Sequence, residues 1–377
     1  MTYAGGRVIH DADAHIMETA EWLVPYADPA HRDAVVIDGA PRLAEVEADL
    51  ELSHTTDEVM LRKNYRAIGG LLADDRPAAL DELGFRSQLV FNTYLSGAIT
   101  RAEQAGDLDR TYAMAEAHNR AMLEFCSVDE RLLSTLLVPL GDLERAPRVA
   151  EDAIAAGANA LLIASAPPGH SPSHVALDGV YAAAAEARIP VVLHVGGGGR
   201  LLDPAYFENG LPPVKDFHGG DGNFKSVDYM AIPYPVMQTL AVLVIDGVLQ
   251  RHPDLRVGVI EQGASWLPGF MRSLDSAATA FVRNEERLQR MELRPSEYVR
   301  RQVRVTPYPH EDAGWVISQA GEETCLFSSD YPHVEGGRHP LKRFDASLVG
   351  LSERAIQRFY AENFVDLMGA GLPAALL

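Results

Sequence analysis

STLLVP at 134–139, ERAPRVAEDAIAA at 144–156, ALLIA at 160–164, ALDGVYAAAAEA at 176–187 and VVLHV at 191–195 follow one another with only short breaks. The three short runs are almost continuously apolar, as strands are when both faces of a sheet are covered. The two longer segments are alanine-rich and place their apolar residues at helical spacing. Strand, helix, strand, helix, strand is the pattern of a parallel α/β sheet.

The alternation extends in both directions. Further strands are expected at Arg7–Asp13, Ser87–Asn92, Arg256–Glu261, Gln302–Val305 and Cys325–Ser329, and a further helix at Val236–Gln250. About eight strands trailed by helical sequence favour a (β/α)8 TIM barrel over an open doubly wound sheet. A bare barrel takes about 250 residues, so a single barrel domain spanning 1–377 must carry excursions. Two segments have that character. One is 16–81, charged and helical; the other is 196–235, which opens on four glycines and contains GLPPVKDFHGGDGNF. Long loops after barrel strands overhang the active-site mouth. Ser352–Gly369 reads as a closing helix.

Composition narrows the function. Acidic residues outnumber basic ones, 53 to 33, for a net charge of −20. Such a surface repels phosphate backbones and anionic bilayers, so neither nucleic acid nor membrane is an expected partner. The most apolar stretch, Leu240–Leu249, is short and broken by Asp246, and MTYAGGRVIHD at the start lacks a signal peptide's long apolar run. Cys126 and Cys325 are too few for a disulfide framework or a four-thiolate zinc site. A cytoplasmic protein acting on a small molecule is the expectation.

The first strand ends in His10-Asp11-Ala12-Asp13-Ala14-His15. Alternation puts Asp11, Asp13 and His15 on one face. Three ionisable groups facing a barrel interior need a counter-charge, and a divalent cation is the simplest one; a solvated loop with Asp11 as a helix cap is the plainer alternative. His194 ends the strand VVLH before the glycines, where a hydrogen-bonded core histidine would be ordinary. Asp330 follows LFSS just before Tyr331-Pro332, where a turn cap would be ordinary. Taken together, Asp13, His15, His194 and Asp330 all fall at expected strand C-termini. Two carboxylates and two neutral imidazoles neutralise a divalent ion and leave a position open, the layout of a catalytic metal site.

With DADAH, LHVGGGG, IEQGASWLPGFM and FSSDYPH in place, the chain resembles the amidohydrolase superfamily. It is most similar to the amidohydrolase-related branch containing aminocarboxymuconate-semialdehyde and γ-resorcylate decarboxylases. The resemblance runs nearly end to end. It implies a barrel holding one divalent metal, zinc or manganese before iron, on Asp13, His15, His194 and Asp330. Asp330 would serve as general acid/base in hydrolysing or decarboxylating a small carbonyl or carboxylic substrate. Two departures stand out. Many relatives start with His-x-His where this chain has Asp13-x-His15, and many have a histidine where strand six here ends in Glu261.

Glu261 is therefore a further catalytic candidate, or the ion-pair partner of a loop arginine such as Arg338. With Asp11 and Glu18 it could instead supply carboxylates for a second ion. That variant would suit a dinuclear manganese or iron oxygenase subunit, as in aminoisobutyrate hydroxylase. A third reading is a non-catalytic, metal-stabilised partner. Asn92, His310, His333 and Arg338 are expected near the substrate, and Arg200, His218 and Lys225 are loop candidates. A homodimer, or a hetero-oligomer with a related subunit, is expected by the same resemblance.

Overall fold

The computed structural model describes residues 2–54, 58–166, 168–198, 201–212 and 226–377. Among the described residues, seven strands form one sheet: β1 His10–Ile16, β2 Ser87–Asn92, β3 Leu132–Leu137, β4 Ala160–Ile163, β5 Val191–His194, β6 Val257–Ile260 and β7 Val303–Val305. They pair in sequence order and every pairing is parallel. Helices intervene between them. The expected eighth strand is reduced to single bridges, Val305 to Cys325 and Ala14 to Tyr331. Its backbone nonetheless meets both sheet edges. Leu326 N donates to Val305 O at 2.9 Å, Ala12 N to Phe327 O at 3.1 Å and His15 N to Tyr331 O at 2.7 Å. This arrangement is consistent with a (β/α)8 barrel whose last stave is irregular.

Alternation along the strands sorts the core. Val90, Leu136, Leu193 and Val259 join the helices in one apolar cluster. Leu89, Phe91, Leu133, Val192 and Ile260 belong to another. Period-2 partition of one strand between two cores is what a sheet covered on both faces requires. His10 stacks on Phe364 at 5.2 Å, so the helix Asn363–Met368 covers the N-terminal end of the barrel. Ser352 caps the start of the closing helical segment, accepting from Ala355 N at 3.1 Å.

Two expectations need correction. β1 lies three residues later than expected, so the polar HDADAH run is inside the strand and entirely buried. Burial is tolerated because each polar group there meets a partner or the cluster described below. The helix expected at Val236 begins earlier, as Ser226–Ala231 and then Pro233–Ile245. Proline 233 sits in its first turn, where no N–H is needed. This stretch, Ser226–Ile245, is also long and apolar enough to cross a membrane by length and composition. Its Val236, Leu240, Leu243 and Val244 are part of the barrel's core.

The segment between β1 and β2 carries the helices Leu43–Glu51 and Arg76–Leu83. Arg76 is fully buried and fastens this segment to the barrel: its guanidinium donates to His15 O at 2.9 Å, Gly69 O at 3.1 Å and Gln88 Oε1 at 3.2 Å.

Candidate metal centre

Side chains from four strand ends meet in a small volume. From β1 come Asp13 and His15, with Asp13 Oδ1 3.1 Å from His15 Nε2. β5 contributes His194, whose Nε2 lies 3.3 Å from the same oxygen. Glu261, just past β6, puts Oε2 3.3 Å from His194 Nε2 and 3.8 Å from His15 Nε2. Asp330 places Oδ1 3.6 Å from His15 Nε2. One ligand atom from each of Asp13, His15, His194 and Glu261 lies within 4.8 Å of the others, and the same holds for His15, Glu261, Asp330 and His333.

The ring orientations are set by backbone carbonyls. His15 Nδ1 donates to Asn92 O at 3.1 Å, and His194 Nδ1 to Val195 O at 2.9 Å. Each Nε2 then carries a lone pair aimed at carboxylate oxygens, which are themselves acceptors. His15 Nε2, Asp13 Oδ2 and Asp330 Oδ1 are buried without a hydrogen-bond partner among the described residues. Buried acceptors facing one another need a cation between them. Imidazole nitrogen with carboxylate oxygen is a donor set for zinc, manganese or iron. The residues therefore fit a divalent metal: Asp13, His15, His194 and Glu261 could hold one, and so could His15, Glu261, Asp330 and His333.

The electrostatics agree. Burial, and next to it His333, keep the His15 ring below its ordinary value and thus neutral, the form that binds metal. Glu261 and Asp330 both have φ of 54°. That left-handed conformation is uncommon outside glycine. Its recurrence at two carboxylates of one cluster fits strain held at a functional site. At Glu261 the turn is fastened by its own N–H to Thr306 Oγ1 at 2.8 Å and by Tyr308 Oη to its carbonyl at 2.7 Å. At Asp330 the backbone N–H donates to Asp13 O at 3.0 Å.

Other residues singled out in the sequence fall into three groups. His333 enters the cluster: its ring stacks on His15 at 3.9 Å, Nδ1 is 3.0 Å from Asp330 Oδ1 and Nε2 is 2.8 Å from Thr93 Oγ1. Asp11 and Glu18 stay out of it. The β1–β2 register shifts between Asp11 and Ala14, so Asp11 loses the face it was expected to share with Asp13. Its oxygens instead accept from Ser329 N at 2.7 Å, Ser329 Oγ at 2.6 Å and Gln88 Nε2 at 2.8 Å. Glu18 accepts the backbone N–H groups of Thr93, Tyr94 and Leu95 at the head of the helix Leu95–Gln104. Burial lifts both carboxyls to about 7.

Asn92 stands behind the site. Its carbonyl orients His15 while its side chain accepts from Ser96 N and Oγ, each at 2.8 Å. His310 is exposed and bonded to Tyr229 Oη at 2.9 Å. Arg338 is exposed, and Glu261 meets the two histidines where an ion pair with Arg338 was an alternative. Arg200, His218 and Lys225 lie outside the described residues. Trp266 and Phe270 pack on each other at 5.5 Å. With Tyr229, Tyr234 and Tyr308 they line a cleft of about 520 Å³.

Two functional neighbours carried no signal in the sequence. Thr93 follows β2 and holds His333. Lys63, in the segment after β1, feels the charges of Asp330 and Glu335; burial pulls its ammonium down to about 8 and those carboxylates resist.

An amidohydrolase from Mycobacterium avium subsp. paratuberculosis is 24% identical, with a TM-score of 0.78 over 97% of this chain and 100% of that one. The 5-carboxyvanillate decarboxylase of Novosphingobium aromaticivorans, solved with manganese and 4-hydroxy-3-methoxy-5-nitrobenzoic acid, is 20% identical, with a TM-score of 0.67 over 97% of each chain. A 2,6-dihydroxybenzoate decarboxylase from Rhizobium is 16% identical, with a TM-score of 0.61 over 96% of this chain and 98% of that one. No curated protein matches. The family model described as Amidohydrolase matches residues 11–365. The chain belongs to the amidohydrolase family of enzymes.

Proposed function

We propose that the protein is a metal-dependent carboxy-lyase acting on a small aromatic or unsaturated carboxylic acid, with manganese or zinc held by Asp13, His15, His194 and Asp330. The observation that carries this reading is the convergence of ligand atoms: those of Asp13, His15, His194 and Glu261 lie within 4.8 Å of one another, as do those of His15, Glu261, Asp330 and His333, and His15 Nε2, Asp13 Oδ2 and Asp330 Oδ1 are buried without a hydrogen-bond partner among the described residues. Decarboxylation is preferred to hydrolysis because decarboxylases recur among the similar structures.

A bound divalent ion supplies a seat for an anionic substrate oxygen and, with water there instead, lowers that water's pKa to about 7. The side chains supply the rest. His15 and His194 each have Nδ1 engaged by a backbone carbonyl, which leaves Nε2 as the atom that would bind the ion. Asp330, whose Oδ1 lies 3.0 Å from His333 Nδ1, is placed to take up a proton from water and pass it to the substrate carbon bearing the carboxylate. The bond from that carbon to the carboxylate then breaks, its electrons stay on the carbon, and carbon dioxide leaves. Thr93 fixes the His333 ring and so the geometry of Asp330.

The test is carbon dioxide release from hydroxybenzoate and muconate-type acids by metal-loaded protein, with and without oxygen. Oxygen-independent release is expected. Substrate-dependent oxygen uptake would select the oxygenase instead, and turnover of lactones or amides without carbon dioxide would select hydrolysis. The oxygenase reading lacks its second ligand set here, since the carboxylates of Asp11 and Glu18 are bonded elsewhere.

A further inference from the structure

We infer that Lys63 recognises the carboxylate of the substrate and sets the preference for an acid over its neutral analogue; this rests on the reading above. Its Nζ is buried with no hydrogen-bond partner among the described residues. An ammonium brings three donors. Leaving all three buried and unused is costly unless something arrives to accept them.

The position is built. Next to Lys63, Asn64 adopts φ of 52° and donates its N–H to Pro332 O at 2.9 Å, pinning this corner to the loop that carries Asp330 and His333. The corner continues into Gly70, whose carbonyl accepts from Met17 N at 2.6 Å, next to the end of β1. Lys63 thus adjoins a corner fastened to the two backbone segments that present His15 and Asp330. The charges reaching it are those of Asp330 and Glu335. Neither places a hydrogen bond on Nζ, so its donors remain for a ligand carboxylate at the metal site. Among the described residues, Arg338, the other cation expected near the substrate, is exposed.

The test uses manganese-loaded protein and two probes, 2,6-dihydroxybenzoate and its uncharged amide, with binding read by calorimetry. Wild type should bind the acid more tightly than the amide. Lys63→Met should weaken acid binding about 10- to 100-fold, the scale of a lost charge-assisted hydrogen bond, and leave the amide within about twofold. Lys63→Arg should keep part of the preference. Manganese content and unfolding midpoint should not fall in Lys63→Met, because it removes a buried unpaired charge. Equal loss of acid and amide, loss of manganese or of folding, or a wild type that does not distinguish the probes would overturn the proposal. Carbon dioxide release is followed in parallel. Lysine-dependent acid binding without turnover would fail the carboxy-lyase reading alone, and turnover with an acid affinity unmoved by Lys63→Met would fail this one alone.

Discussion

Replacing Asp11 by alanine separates a structural carboxylate from a metal ligand. In the fold its two oxygens accept from Ser329 N, Ser329 Oγ and Gln88 Nε2, all buried and within 2.8 Å. Removing the carboxylate strands the Ser329 N–H and the Gln88 amide, while the serine hydroxyl can re-aim. Each stranded buried donor costs about 1–3 kcal/mol. Part of that is offset because burial already disfavours the charge, lifting the carboxyl to about 7. A net loss of about 2–4 kcal/mol is expected, or roughly 4–8 °C in Tm at about 2 °C per kcal/mol. The assay is urea unfolding of metal-stripped protein followed by circular dichroism, together with metal content per chain after reloading. The expected result is a lower midpoint with one ion retained. An unchanged midpoint with an ion lost per chain would refute the reasoning and make Asp11 a ligand.

Other outcomes follow from the same geometry. His194→Ala and Asp330→Asn should each reduce turnover by at least about 1000-fold, whereas His252→Ala, before β6 at the opposite end of the barrel, should leave it within about twofold; steady-state rates decide this. Thr93→Val frees the His333 ring, so kcat should fall about tenfold with manganese content unchanged, read by parallel kinetics and metal analysis. His118 is buried and its ring is held at about 4, while an unfolded histidine takes a proton near 6.5. Its stabilising effect is complete above about pH 6.5 and is lost as the pH falls toward 4, by about 3 kcal/mol. Asp11 and Glu18, raised to about 7, pull the opposite way. The effect is therefore read as the difference between wild type and His118→Gln in unfolding free energy at pH 7 and pH 4. A difference that does not change with pH would contradict it.

How far the sequence reaches depends on the reach of the interaction. The runs around β2 to β6 were legible because apolar strands and alanine-rich helices declare themselves locally, and Ser87–Asn92 has its expected bounds. β1 was misplaced because its polarity masks a buried strand, whose polar groups are satisfied only by distant residues such as Ser329 and Gln88. That Asp13, His15, His194 and Asp330 lie at one end of the barrel was readable from their shared position at strand ends; the structure groups the first three with Glu261, and Asp330 with His15, Glu261 and His333. Asp11 was misjudged because strict alternation ignores the register shift between Asp11 and Ala14. Lys63 and Thr93 were invisible: each owes its place to a long-range contact with the loop after Cys325, through Pro332 for the lysine's corner and His333 for the threonine. Nothing in the residues flanking them announces it.

The most direct measurement is anomalous diffraction from crystals grown with manganese, collected on both sides of the metal's absorption edge. One strong peak per chain is expected at about 2.1–2.3 Å from the Nε2 atoms of His15 and His194 and from oxygens of Asp13 and Asp330. A peak bound elsewhere, with those four side chains left without a shared ion, would contradict the account.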